Sequence, residues 1–289
     1  MELRSVAALI EASRKMPIWE AILCSDLEED TPEQRVASLE KMRMLWQVMQ
    51  DSAAGYDGSQ RSLSGLSGGD GEKYTQMMSS GKMMCGTYLN DAIATALKVS
   101  ECNACMKRIV AAPTAGSCGV IPAVLIPYRK EYPDTPEEEM LHALYVTGGF
   151  GNIIAERASV SGAEAGCQAE IGAASAMAAA ALVYLRGGSP EACGNACAMA
   201  LKNLLGLVCD PVAGLVEVPC VKRNVVGVVN AISCANMALA GIVSRIPPDE
   251  VIDAMAEVGS SMSADLRETA RGGLAATPTG KRIAAERAE

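Results

Sequence analysis

Apolar residues along this chain recur at helical spacing, and no stretch shows the strict alternation of a half-buried strand. The first 55 residues read as two helices, the second opened by Thr31-Pro32-Glu33-Gln34. That tetrad is a capping box with proline at the first helical position, and its helix should run to about Ser52. A Gly/Ser-rich loop over 56–74 follows, then a helix from about Gly86 to Lys98. A second small-residue loop, 111–120, leads into the apolar helix IPAVLIPYRKEY. From Thr135-Pro136-Glu137-Glu138 a helix should reach Val146, where Gly148 and Gly149 are expected to break it. The most apolar run, Ile171 to Leu185, falls short of the roughly 20 residues of a membrane span and reads as a buried core helix ending near Gly187-Gly188. Ser189-Pro190-Glu191 opens another, to about Gly206. Residues 209–220 are irregular around two prolines, 225–243 resume a buried helix, and Pro247-Pro248-Asp249-Glu250 opens one more. The end, from Arg271, reads as a Gly/Pro/Thr loop with a charged tail. The expectation is an all-α chain forming one helical domain over 1–289.

Composition supports helices. Aromatic residues make up 3% of the chain, with a single Phe, while 16 Met and many small residues suit close helix packing with flexible gap fillers. A net charge of −9 makes nucleic acid and anionic membranes unfavourable partners and leaves a small substrate as the expected one. The opening MELRSVAALIEASRKM mixes acids and bases where a secretory signal would be apolar, so the cytoplasm is expected.

In that compartment eleven cysteines, an odd number, are not a disulfide framework. Cys102-x-x-Cys105 lacks the second pair or histidines that would complete a zinc site. Cys193 and Cys197 share a helical face, and with Cys24, Cys85 and Cys234 they read as core fillers. Cys167, Cys209 and Cys220 differ, because each sits where helix gives way to irregular backbone beside Gly166, Pro211 or Pro219. Such backbone lets side chains converge on one point. With 41 and then 10 residues between them, their spacing is no general metal motif, and residues alone leave core packing and metal ligation both open.

Five segments nevertheless resemble a known family, the iron-sulfur-dependent L-serine dehydratases, in their catalytic or alpha subunit. They are SGLSGGDGEKY (64–74), AAPTAGSCGVIPAVL (111–125), ERASVSGAEAGCQAEIGAASAMAAAAL (156–182), NLLGLVCDPVAGLVEVPC (203–220) and GGLAATPTG (272–280). The resemblance implies an all-helical catalytic domain and a 4Fe-4S cluster held by the matching Cys167, Cys209 and Cys220. Three thiolates leave one iron open, and an open iron can act as a Lewis acid on the serine β-hydroxyl. Loss of the α-proton and of water then gives aminoacrylate, and from it pyruvate and ammonia, with no external redox change.

The same resemblance makes Ser64, Ser67 and Asp70 in the first loop, and Thr114, Gly116 and Ser117 in the second, the expected substrate-binding residues. Cys118 is read as a lining residue, since a fourth thiolate would close the open iron. Glu164, Gln168 and Glu170 could hydrogen-bond substrate or cluster-bound water, or the two glutamates could simply complement a helix N-terminus. Ser161, Glu164 and Ser117 are catalytic candidates, with the base unassigned, and His142 reads as a satisfied helix histidine. Single-chain family members carry an added ACT-like α/β domain, and some end in a cysteine that reaches the cluster; here the last cysteine is Cys234. A separate beta subunit is therefore expected, in a hetero-oligomer or a homodimer. Competing readings are a cysteine desulfidase, a pyridoxal-phosphate lyase using SGLSGGDGEK as a phosphate cup, and a metal-storing or electron-transfer subunit.

Overall fold

The computed structural model describes residues 3–288. Helices α1 (Val6–Ala12), α2 (Ile18–Asp26) and α3 (Pro32–Ala54) replace the two expected in the first 55 residues, because Pro17 ends one and restarts the next. Thr31 does cap α3 by accepting from the Gln34 N–H at 3.3 Å. The box is only half formed, since the Gln34 side chain accepts from Glu29 N instead. The chain continues with α4 (Asp70–Met78), α5 (Thr87–Ala104), α6 (Val120–Glu131), α7 (Glu137–Arg157), the short α8 (Gly162–Ala165), α9 (Ala173–Leu185), α10 (Pro190–Asn203), α11 (Cys220–Leu239), α12 (Pro248–Ser261) and α13 (Pro278–Ala288). Among the described residues there is no strand, only one isolated bridge between Cys209 and Arg267, and the fold is all-α as expected.

Helix α9 is the centre. Residues Ala173 to Val183 are all buried, and α6, α7, α10 and α11 pack around them. Alanine makes this possible, since helix axes approach as closely as their contacting side chains allow. A π-helical turn, Gln168–Gly172, precedes α9, so the helical path is longer than the Ile171 to Leu185 run suggested. Gln168–Leu185 is long and apolar enough to cross a membrane by length and composition, but 83% of it is buried inside the bundle. It is a core helix.

Helix α7 runs straight through Gly148 and Gly149, against expectation. The reason is packing. A Cβ on Gly149 would stand 2.5 Å from Ile22 of α2, and one on Gly151 would stand 2.8 Å from Met177 of α9. These glycines admit neighbouring helices at close range, and tertiary contact outweighs their poor propensity. Helix α4 likewise begins inside the stretch expected as loop. The buried Glu101 carboxylate takes the N–H groups of Asp70 (2.9 Å) and Gly71 (3.2 Å), along with the Tyr56 hydroxyl (2.6 Å), and so caps α4 from outside. The charged tail is helical too, with Thr277 capping α13 through Gly280 N. Helix α11 starts five residues earlier than expected, at Cys220.

Cys193, Cys197 and Cys234 are core fillers, whereas Cys85 is exposed and Cys24 is only partly buried, contacted by Arg35 Nη2 at 3.1 Å. His142 departs from its reading as satisfied. Its imidazole is buried and stacked on Trp19, with centroids 3.7 Å apart and 6° between planes, and neither nitrogen has a hydrogen-bond partner.

Two outcomes follow from this packing. A Cβ added to Gly148 would meet no atom within 4 Å, so Gly148→Ala should stabilise the fold by about 0.5–1 kcal/mol. Gly149→Ala should instead cost about 1–3 kcal/mol, both read by urea unfolding. Burial lowers the His142 pKa, against the pull of Glu139, Glu138 and Glu20, so the folded state holds it neutral. Its contribution is full above the ordinary histidine pKa and is lost as pH falls through the depressed folded value. His142→Phe should therefore lose less thermal stability than wild type between pH 7.5 and 5.5; equal slopes would contradict the assignment.

Candidate active site

Four separate segments are drawn together around α8 and the π turn. Cys167 lies between them, held there by Gly166 at φ 74°. A Cβ on Gly166 would stand 2.7 Å from Met262 Sδ and 2.9 Å from Leu207 O, so space as well as dihedral demands glycine. Cys209 is fixed on both sides of its peptide, its N–H donating to Leu266 O (2.8 Å) and its C=O accepting from Glu268 N (2.8 Å). Cys220 is the first residue of α11. All three thiols are buried.

The π turn aims Glu170 at two of them. Its carboxylate and the sulfurs of Cys167 and Cys209 lie within 4.8 Å of one another, with Oε2 at 3.9 and 3.8 Å from the two Sγ atoms. Cys220 stands outside this group of three. Interaction between the two neighbouring thiols lowers the Cys167 pKa and raises that of Cys209. Burial, and then the charges of Cys167 and Glu170, push the Cys220 thiol up to about 12. Burial also raises the Glu170 pKa, offset in part by Thr114, whose hydroxyl donates to Oε1 at 2.6 Å. Glycines make the space: a Cβ on Gly162 would stand 2.5 Å from Glu170 Oε2 and 3.2 Å from Cys209 Sγ, and one on Gly116 3.0 Å from Oε1.

The other expected residues are dispersed. Glu164 is exposed and accepts from Ser159 Oγ, and Ser161 caps α8 with its carbonyl. Gln168 is structural, donating to Met255 O and accepting from Gly206 N. Ser117 is fully buried with its hydroxyl turned onto its own turn, toward Thr114 and Ala112 O. Gly116 O accepts from Asn224 Nδ2 at 2.8 Å, and Gly119 N donates to Asn224 Oδ1, which docks the 113–119 loop on α11. Ser64 donates to Glu217 Oε2 (2.8 Å) beside Ser62 (2.6 Å), while Ser67 pairs with Ser62 through its backbone. The first glycine-rich loop is thus ordered and tied to the 209–220 segment. Asp70 is occupied by ion pairs with Lys222 (2.5 Å) and Lys73 (3.0 Å), and the Lys222 bond lowers its pKa. Cys118 is buried near Val99 O and outside the Cys167 group.

Sequence reasoning missed Glu217, Asn224 and Arg223. Each lies within four residues of Cys220, which was the one available signal. Gly162→Ala should push Glu170 off the two thiols and cost about 1–3 kcal/mol by overpacking, measured by urea unfolding of the apoprotein. Unchanged stability would show that the carboxylate is free to move away.

Residues 13–275 match the family model described as serine dehydratase alpha chain. The chain is 54% identical over 222 residues to the probable L-serine dehydratase, alpha chain, of Bacillus subtilis (strain 168), covering 77% of this chain and 74% of that one. It is 50% identical over 204 residues to the L-serine dehydratase, alpha chain, of Peptoniphilus asaccharolyticus, covering 71% and 70%. Against the L-serine dehydratase of Streptomyces coelicolor it is 47% identical over 181 residues, 62% of this chain but 40% of the longer relative. With a match that spans most of its length and its buried thiol pocket, the chain belongs to the serine dehydratase alpha chain family.

Proposed function

We propose that this chain is the catalytic alpha subunit of a cytoplasmic, iron-sulfur-dependent L-serine ammonia-lyase. It would work with a separate beta chain and release pyruvate and ammonia. The observation that carries this reading is the meeting of Cys167, Cys209 and Glu170 in one buried pocket. Its residues fit a 4Fe-4S cluster: three buried thiols supply the donor set, and Gly162 leaves the space beside Cys209 Sγ and the Glu170 carboxylate free of a Cβ. Ligands of such a cluster bind different irons, so Cys220 need not lie within one ion's reach of the other two. When bound, the cluster would supply a Lewis acid, at an iron lacking a protein thiolate, for the serine β-hydroxyl.

The chain's own residues would do the rest. Thr114 occupies Oε1 of Glu170, so Oε2, the oxygen facing the thiols, is the atom left to take or give a proton. Burial favours its protonated form, which suits a group that must donate as well as accept. Ser117 and Thr114 are committed within the fold, so the substrate carboxylate falls to the opening N–H groups of the Ala115–Ser117 turn. Burial of the whole pocket excludes water that would compete for the reacting groups.

Protein purified anaerobically and reconstituted with iron and sulfide should show broad visible absorbance and form pyruvate from L-serine, more so with its beta chain co-expressed. L-Threonine and L-cysteine in parallel define the leaving group accepted. Cys167→Ala should lose both absorbance and turnover; retained iron and activity in that variant would sink the ligand assignment. A chromophore removed by borohydride would instead indicate a pyridoxal enzyme.

A further inference from the structure

The segment GGLAATPTG and the residue Arg223 have no part in the chemistry above, yet they form one device. Arg223, one turn into α11 from Cys220, is largely buried, with its side chain 14% exposed. Its Nη1 donates to Val208 O and its Nη2 to Asp210 Oδ1, both at 2.8 Å, so the residues flanking Cys209 hold both arms of the guanidinium. Held this way, the guanidinium sits against the residues on both sides of Cys209, and its charge helps to lower the Cys167 pKa. Asp210, 3% exposed, is fixed in turn from the far side by Leu274 N at 2.7 Å. That approach requires Gly273: its φ is +56°, and a Cβ there would collide with Asp210 Oδ2.

We propose that Arg223 is a positioning residue for the cluster, braced by Asp210 and the 272–274 turn so that its fixed positive charge stays beside the ligand cysteines at Cys209, one turn from Cys220. This rests on the iron-sulfur reading of the pocket. A positive charge beside a ligating sulfur favours the more negative, reduced form of a cluster and slows loss of the thiolate-bound iron. Lysine keeps the charge but lacks the fork that engages Val208 O and Asp210 together.

The test uses the reconstituted chain and two readouts independent of turnover: the rate of iron loss to a chelator and the reduction potential of the cluster. Arg223→Met should lose iron about 10-fold faster than wild type and shift the potential to more negative values. Arg223→Lys should lie between the two. Should Arg223→Met not fold, as judged by helical circular dichroism, Asp210→Asn carries the test, since it leaves Arg223 in place without its brace and should speed iron loss several-fold. Wild-type rates and potentials in the folded variants would overturn the role of Arg223. Wild-type protein that takes up no cluster at all would overturn the iron-sulfur reading, and this inference with it.

Discussion

Everything around the pocket answers to the burial of one carboxylate against two thiols. A carboxyl group taken out of water without partners is strongly unfavourable, and Glu170 is tolerated because each neighbour gives something up to it. Thr114 gives its hydroxyl, Gly116 and Gly162 give the volume of a side chain, and the helix gives its regular winding in the π turn. Turns of this kind insert a residue into a helix and re-aim the side chains beyond it, and they gather at functional sites for that reason. Here the insertion lets Glu170 face the sulfurs while α9, starting at Ala173, keeps the alignment its alanines need to sit among four helices.

The surrounding polar groups show the same economy of pairing. Glu101 caps α4, Glu217 binds two serine hydroxyls, Asp210 braces Arg223, and Asn224 docks the 113–119 loop on α11. Each is a buried polar group satisfied by a segment distant in sequence. The glycine-rich stretches are therefore ordered by their partners, and their glycines mark places where another chain segment comes close.

Much of this was legible in advance, and the boundary is physical. Prolines and caps are local signals, so α3, α10 and α12 start where the sequence places them. Irregular backbone beside Cys167 and Cys209 likewise pointed to convergence, and these two sulfurs do meet. What failed depended on partners far along the chain. The glycines of α7 looked like breaks because Ile22 and Met177 are invisible from residues 148–151. Helix α4 looked like loop because Glu101 lies 31 positions from the N–H it caps. Glu170 sat in the right ten residues, yet Thr114, its hydrogen-bond donor, is 56 positions away. Asp70, Ser117 and Glu164 had suitable chemistry, but that chemistry is committed elsewhere in the fold.

The single backbone bridge between Cys209 and Arg267 bears on how much of the chain the pocket needs. It pairs a residue of the pocket with one 58 positions later, while the Glu217 carboxylate reaches back 155 positions to Ser62. Contacts of such long separation carry a larger loop-closure cost than the local bonds of the helices. The pocket and its supports therefore draw on chain from Ser62 to Glu268. A chain cut before Leu266 would still carry all three cysteines, but without the backbone partners that fix Cys209.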